Sequence, residues 1–453
     1  MTLWAHQEEA VAFATARDAA MFHMGMGTGK TRCALEVARR TKAQRILVLC
    51  PLSVVAAWQS QIQLFAPEIV AIPLRKGSVR KKLEHAKAEV AKARAYGKPY
   101  AIVVNYESAR SAPLGDWLRK VEHDLLVLDE SHRIKSPNGT TSRWVSRLAQ
   151  TCTRRLALTG TPMPHSPLDV YGQFRALAPT LFGWSFVRFR RQYAQMGGFQ
   201  GKQVMGYQNM EQLREKLARF TFQADRSVLD LPDALHEHRK IDLTPKARRL
   251  YEDLDRDFTA QVETGEITAA NALVKLLRLQ QLTSGRVTVE QGDDLILQQV
   301  DTAKQDALRD LLEDLPGDEP VVVFGRFSSD LTAVHEAAKA TGRASLELSG
   351  SRRELEAWQA GEAPVLAVQI QSGGTGIDLT RARYCCYLST GFSLGDYEQS
   401  LARVHRPGQS RPVVYYHFVA RDTIDEKVYR ALRDRKQVVE AVLDGISNPT
   451  PTS

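Results

Sequence analysis

Short apolar runs punctuate the chain, separated by stretches in which apolar residues recur every three to four positions. Early runs fall at residues 19–22, 45–51, 100–105, 124–128 and 155–158. Each is nearly continuous in apolar character, the pattern of strands buried on both faces of a parallel sheet. Pro51 ends the second run, since it cannot extend a central strand. Residues 3–16, 32–40, 53–65 and 75–98 read as helices between the runs, with Trp58 on the apolar side of the third. From Leu168 to Arg286 the pattern turns helical with few strand signals, and residues 273–279 read as a core-facing helix. The strand–helix rhythm resumes near Lys304, with runs at 319–324, 364–369, 384–388 and 413–419 and a charged amphipathic helix from Thr423 to about Leu443. Strands separated by helices predict an α/β fold with parallel, doubly wound sheets. A chain of 453 residues is too long for one core. We therefore expect two lobes, residues 1–225 and 226–453, with a helical protrusion from about 168 and a helical insertion at about 245–286.

Composition changes this picture little. With 43% hydrophobic and 25% charged residues the chain is ordinarily globular, which excludes a disordered class. A net charge of +9 suits a polyanionic partner without demanding one. Residues 75–98 hold nine Lys and Arg against Glu84 and Glu89. That run reads first as a solvated helix face, with nucleic-acid contact as the alternative. Residues 186–193 interleave aromatics with arginines and leave the same two readings open. The five cysteines, Cys33, Cys50, Cys152, Cys385 and Cys386, lack disulfide or metal-ligand spacing, which points to a reducing, cytoplasmic compartment, and the adjacent Cys385 and Cys386 inside an apolar run read as core thiols. No run reaches membrane-spanning length, and the N-terminus lacks a secretory pattern.

Chemistry concentrates in a few stretches. Met24-Gly-Met-Gly-Thr-Gly-Lys-Thr31 follows a strand and opens a helix. Gly25, Gly27, Thr28 and Gly29 would let backbone N–H groups converge on phosphate oxygens at a helix N-terminus. Lys30 would reach the β/γ-phosphates and Thr31 would hold Mg²⁺. Met24 departs from the usual glycine at the first position of this pattern. Gln7 offers a carboxamide that can bond an adenine edge, although a surface Gln is the simpler reading on its own. Asp129-Glu-Ser-His132 ends an apolar strand, where open α/β sheets place ligands. There Asp129 would hold Mg²⁺ and Glu130 would polarise the attacking water. Farther on, Arg403 and Arg406 fall on neighbouring faces of a helix end. The economical explanation is ATP bound between lobes, with these two as arginine fingers.

The ordered set resembles the superfamily-two helicase-like ATPases, and within them the Swi/Snf-type double-stranded DNA translocases. The residues that carry the resemblance are Leu3 to Gln7, MGMGTGKT at 24–31, CPLSVVAAW at 50–58, DESH at 129–132, LTGTP at 158–162, QSGGTGIDLT at 371–380 and QSLARVHRPGQ at 399–409. RIKSPNG after DESH and the HRPGQ form resemble that branch more than helicases at large. The resemblance implies two RecA-like lobes, ATP and Mg²⁺ as cofactors, and nucleotide contacts at Gln7, Gly376 and Asp378. It also implies duplex DNA as partner, with the chain around Pro51, Thr161 and 373–376 near the DNA track. Phe392 stands where the family usually has a Trp, and the basic pair before the second lobe is reduced to Asp225-Arg226. A compact microbial or phage member is the closest description. A strand-separating DNA or RNA helicase and a nucleotide-binding scaffold are the competing readings. Neither a protein partner nor a membrane is indicated.

Overall fold

Adjacent residues of each apolar run pack on opposite faces of a sheet. The computed structural model describes residues 2–198, 203–229, 231–263, 269–291, 294–371 and 377–443. The chain divides into two compact units, Met1–Asp230 with Arg435–Ser453, and Leu231–Asp434.

The first unit contains strands β1 (Ala19–Met24), β2 (Arg45–Cys50), β3 (Val70–Leu74), β4 (Tyr100–Asn105), β5 (His123–Asp129) and β6 (Cys152–Thr159). It also holds β7 (Ala194–Gly197), β8 (Gln203–Tyr207) and β9 (Thr221–Ala224). Seven of these make one parallel sheet in the order β3-β4-β2-β5-β6-β1-β9. In β2, Leu47 and Leu49 join the core on one face, while Ile46, Val48 and Cys50 join the other. Two covered faces explain why the run shows no alternation.

The second unit repeats the plan. Its strands are β10 (Ala234–Ile241), β11 (Arg286–Gln291), β12 (Asp294–Gln299), β13 (Val321–Gly325), β14 (Ser345–Leu348), β15 (Val365–Gln369), β16 (Tyr384–Tyr387) and β17 (Val413–Ala420). Six form a parallel sheet in the order β10-β17-β16-β13-β15-β14. Cys385 and Cys386 are neighbours in sequence but enter opposite cores, so they cannot pair. All five cysteines are buried free thiols.

The stretch read as helical, 168–286, is not purely so. It contains the β7–β8 hairpin, the sheet edges β9 and β10, and the start of β11, whose hairpin partner is β12. These strands are short or polar. The eight residues Ala-Leu-His-Glu-His-Arg-Lys-Ile of β10 pair only with β17 and are mostly exposed, so no apolar run marks them. Strand β3 also escapes a run-based reading, because Pro73 interrupts it, which an edge strand tolerates. Residues 186–193 form a helix with Phe189 and Tyr193 buried, packed among Phe182, Phe186 and Tyr171. Its aromatics are therefore largely core.

Leu47 is fully buried at the centre of the first sheet, and Leu52 is 48% exposed just beyond β2. Leu47→Ala should cost about 2–5 kcal/mol in urea unfolding, whereas Leu52→Ala should cost under about 0.5 kcal/mol.

Candidate functional site

Parallel strands deliver their C-terminal loops to one edge. Strand β6 lies between β5 and β1, pairing Asp129 with Leu158 on one side and His23 with Thr159 on the other. The chain after Met24, after Asp129 and after Thr159 therefore emerges side by side, within about 10 Å across two inter-strand spacings.

After β1 the chain turns through Gly27 and Gly29, with φ of 87° and 89°, into the helix Lys30–Arg40. Both φ values lie in the left-handed region that glycine enters without steric cost. A Cβ at Gly29 would also lie 2.3 Å from Gln7 Nε2. The helical ladder begins with Cys33 N donating to Gly29 O, so the first-turn amides and the positive dipole end face the loop. Gly25 N donates to Ala224 O at 2.8 Å, anchoring the loop to edge strand β9. Thr28 Oγ1 donates to Gly25 O at 2.7 Å. Lys30 Nζ curls over the loop onto Met24 O at 2.8 Å and Gly25 O at 3.1 Å. Gln7 is buried, not a surface residue. Its Nε2 donates to Thr28 O at 3.1 Å and its Oε1 accepts Trp4 N at 3.0 Å, so the carboxamide braces the loop.

At the end of β5 both Asp129 oxygens have donors. Trp58 Nε1 donates to Oδ2 at 2.8 Å and Glu130 N donates to Oδ1 at 3.0 Å. Tyr106 Oη donates to the Asp129 carbonyl at 2.8 Å. Burial and the neighbouring Glu130 push the Asp129 carboxyl up to about 6, against the opposing pull of Trp58 and Lys30. Glu130 has φ of 50°, a left-handed conformation that costs a non-glycine residue about 1–2 kcal/mol. Its Oε2 lies 3.3 Å from His132 Nδ1, which is 3.4 Å from Thr159 Oγ1.

One residue that sequence reasoning passed over ties this strand end to the next. Gln173 is fully buried, accepts Ser131 Oγ at 2.7 Å and donates to Pro162 O at 2.6 Å. Gly172 permits the approach, because a Cβ there would lie 2.2 Å from Ile134 O. No signal in one sequence marks Gln173, since a helical Gln is ordinarily a surface residue.

In the second unit Arg403 is buried in the last turn of the helix Leu394–Val404, and Arg406 lies beyond that helix, not on it. The stretch 377–382 is stitched to this segment. Leu379 N donates to Arg403 O, Arg406 Nη1 to Ile377 O at 3.1 Å, and Gln409 Nε2 to Thr380 O and Ala382 O. Asp378 Oδ1 accepts Thr380 N at 2.9 Å and Thr380 Oγ1 at 2.7 Å, closing its own turn. Gly376 lies outside the described residues.

A profile of the SNF2-related domain matches residues 6–286, more than half of the chain. The chain belongs to the SNF2-related family. The Helicase conserved C-terminal domain matches residues 303–408, so this SNF2-family chain is a helicase-like, ATP-dependent enzyme of superfamily two. Protein p41 of Acyrthosiphon pisum secondary endosymbiont phage 1 is 26% identical over 93% of this chain and 94% of its own length. The DNA annealing helicase and endonuclease ZRANB3 of Bos taurus is 24% identical over 97% of this chain, which spans only 40% of that protein. The solved Sulfolobus solfataricus SWI2/SNF2 ATPase core in complex with dsDNA aligns over 98% of this chain and 93% of that one, with 20% identity and a TM-score of 0.43. Among the described residues no helix is long and apolar enough to cross a membrane.

The donor set fits Mg²⁺. Among the described residues no group of three His, Cys, Asp or Glu would hold a metal unaided. Thr31 and Asp129 would each offer a hard oxygen, the kind of ligand that Mg²⁺ takes alongside phosphate and water. Gly29→Ala should weaken binding of a fluorescent ADP analogue about tenfold or more, by strain at φ 89° and collision with Gln7.

Proposed function

We propose that this SNF2-family chain is a DNA-stimulated ATPase that moves along duplex DNA without needing to separate its strands. One observation carries the ATPase part: the glycine loop after β1 and the acidic pair after β5 emerge at the same edge of one parallel sheet. In this reading the loop amides and Lys30 bind the β- and γ-phosphates, with Lys30 exchanging its loop carbonyls for phosphate oxygens. Thr31 and Asp129 hold Mg²⁺, which when bound neutralises charge on the phosphates. Glu130 orients and deprotonates the attacking water. Arg403 and Arg406, from the second unit, stabilise charge developing on the transferred phosphoryl group. Gly376 and Asp378 are assigned near the nucleotide by resemblance. The duplex preference draws on that branch and on the chain's net positive charge of +9. The names of several relatives keep strand separation as the second reading, since they are called helicases.

Lys30→Ala should abolish ATP hydrolysis, and Glu130→Gln should bind ATP normally while turning over poorly. Near-normal turnover of Glu130→Gln would remove its assigned role. Arg403→Ala and Arg406→Ala should each lower kcat by about 10³ or more with KM little changed, because the contact forms in the transition state. A matching rise in KM would assign them to ground-state binding.

The motor reading is tested on DNA. ATPase stimulation should be greater with duplex than with single strands or RNA, and should fall steeply with salt as counterions are released. The protein should displace a triplex-forming strand in an ATP-dependent way and unwind a fork poorly. Efficient fork unwinding without triplex displacement would replace the translocase by a strand-separating helicase.

A further inference from the structure

We propose that Trp58 is a positioning residue for the metal-side carboxylate, linking the turn after β2 to the end of β5. The proposal rests on the assignment of Asp129 to Mg²⁺ given above. Trp58 is 2% exposed, so its ring fills core volume that a Phe could also fill. What Phe lacks is the N–H, and a buried indole N–H needs an acceptor. Here that acceptor is Asp129 Oδ2, at 2.8 Å. A donor to a carboxylate is charge-assisted and directional. With Glu130 N on the other oxygen, the carboxylate plane is fixed from two sides.

The tether has a second end. Trp58 lies one turn into the helix Val55–Phe65, which follows directly on the short 3₁₀ turn Leu52–Val54 at the end of β2. Strand β2 neighbours β5, pairing Leu49 with Leu128. Leu52 and Ser53 are exposed on that turn. The indole thus ties the helix that follows β2 to the end of β5.

The test is Trp58→Phe in the full chain, with Trp358→Phe as control. Trp358 is equally buried and donates its indole N–H to Pro364 O at 3.3 Å in the second unit. Trp58→Phe should raise the Mg²⁺ concentration for half-maximal ATP hydrolysis roughly tenfold, the usual size for loss of a group that orients a metal ligand. Binding of a fluorescent ADP analogue in EDTA should stay at the wild-type level, and Trp358→Phe should leave the Mg²⁺ requirement unchanged. A wild-type Mg²⁺ requirement in Trp58→Phe, or an equal shift in Trp358→Phe, overturns the proposal. A second measurement leaves position 58 intact. Among the six indole N–H signals of ¹⁵N-tryptophan-labelled protein, the one displaced by Asp129→Ala should also move when Mg²⁺ is added to the wild type. If no indole signal responds to both, the tether is wrong. Absence of Mg²⁺-dependent hydrolysis in the wild type would instead overturn the proposed ATPase, while the indole signals still report on the Trp58–Asp129 bond.

Discussion

Parallel pairing of β5, β6 and β1 is the constraint from which the site follows. Antiparallel neighbours would send their loops to opposite edges. Parallel ones send every loop after a strand to the same edge, and their helices cover both faces. The faces are thus reserved for packing, as Leu47 and Val48 show by entering different cores. Chemistry is left to the edge, where chain ends meet water and where the helix Lys30–Arg40 points its N-terminus. Within the edge, order matters as well. Because β6 separates β1 from β5, the loop and the acidic pair are held about two strand spacings apart, room for a phosphate and a cation.

The central strands were legible in the sequence for the same reason that they are central. Burial on both faces leaves a continuous apolar run, and β2, β4, β5, β13 and β15 each announce themselves that way. Edge strands carry the opposite signature. Strand β10 is mostly charged or polar because one side of it faces water, and β3 accommodates Pro73 because an edge has a free N–H side. Both were hidden within a pattern read as helical or irregular. The glycine loop and the DESH stretch stood out because the chemistry proposed for them needs fixed residue types at fixed spacing. Trp58 was visible as an apolar helix position, but its donor role was not. A hydrogen bond spanning 71 positions leaves no local trace. Gln173 is hidden for the same reason, and Gln7 was misjudged in exposure because its partner, Thr28 O, lies 21 positions away.

The second unit meets a different requirement. The two stretches assigned to the proposed site, around 378 and 403–409, hold each other in place through backbone carbonyls. Gln409 alone donates to two of them, Thr380 O and Ala382 O, and accepts Ser410 N and Arg411 N. A carboxamide suits this role because it has donors and acceptors and no charge to neutralise. Arg406 contributes a donor of its own to Ile377 O. The glutamine of the HRPGQ form thus has a structural explanation in this chain, separate from any contact with ligand.

Asp129 shows what such an edge costs the fold. Burial and Glu130 raise its carboxyl from the ordinary 3.8 to about 6. Between those values the unfolded chain has lost the proton while the folded chain retains it. Stability therefore falls as pH rises through that window. Near neutrality the group is ionised in both states and the full penalty stands. Left-handed Glu130 adds backbone strain beside it. Neither feature helps the protein fold. With Mg²⁺ at Asp129, as proposed above, the two acids that repel each other would become its counter-charges. Trp58 and the Glu130 amide keep the carboxylate aimed in the meantime. Lys30 already draws the Asp129 carboxyl down from the loop side, so a bound cation would add to a positive charge that the edge partly supplies.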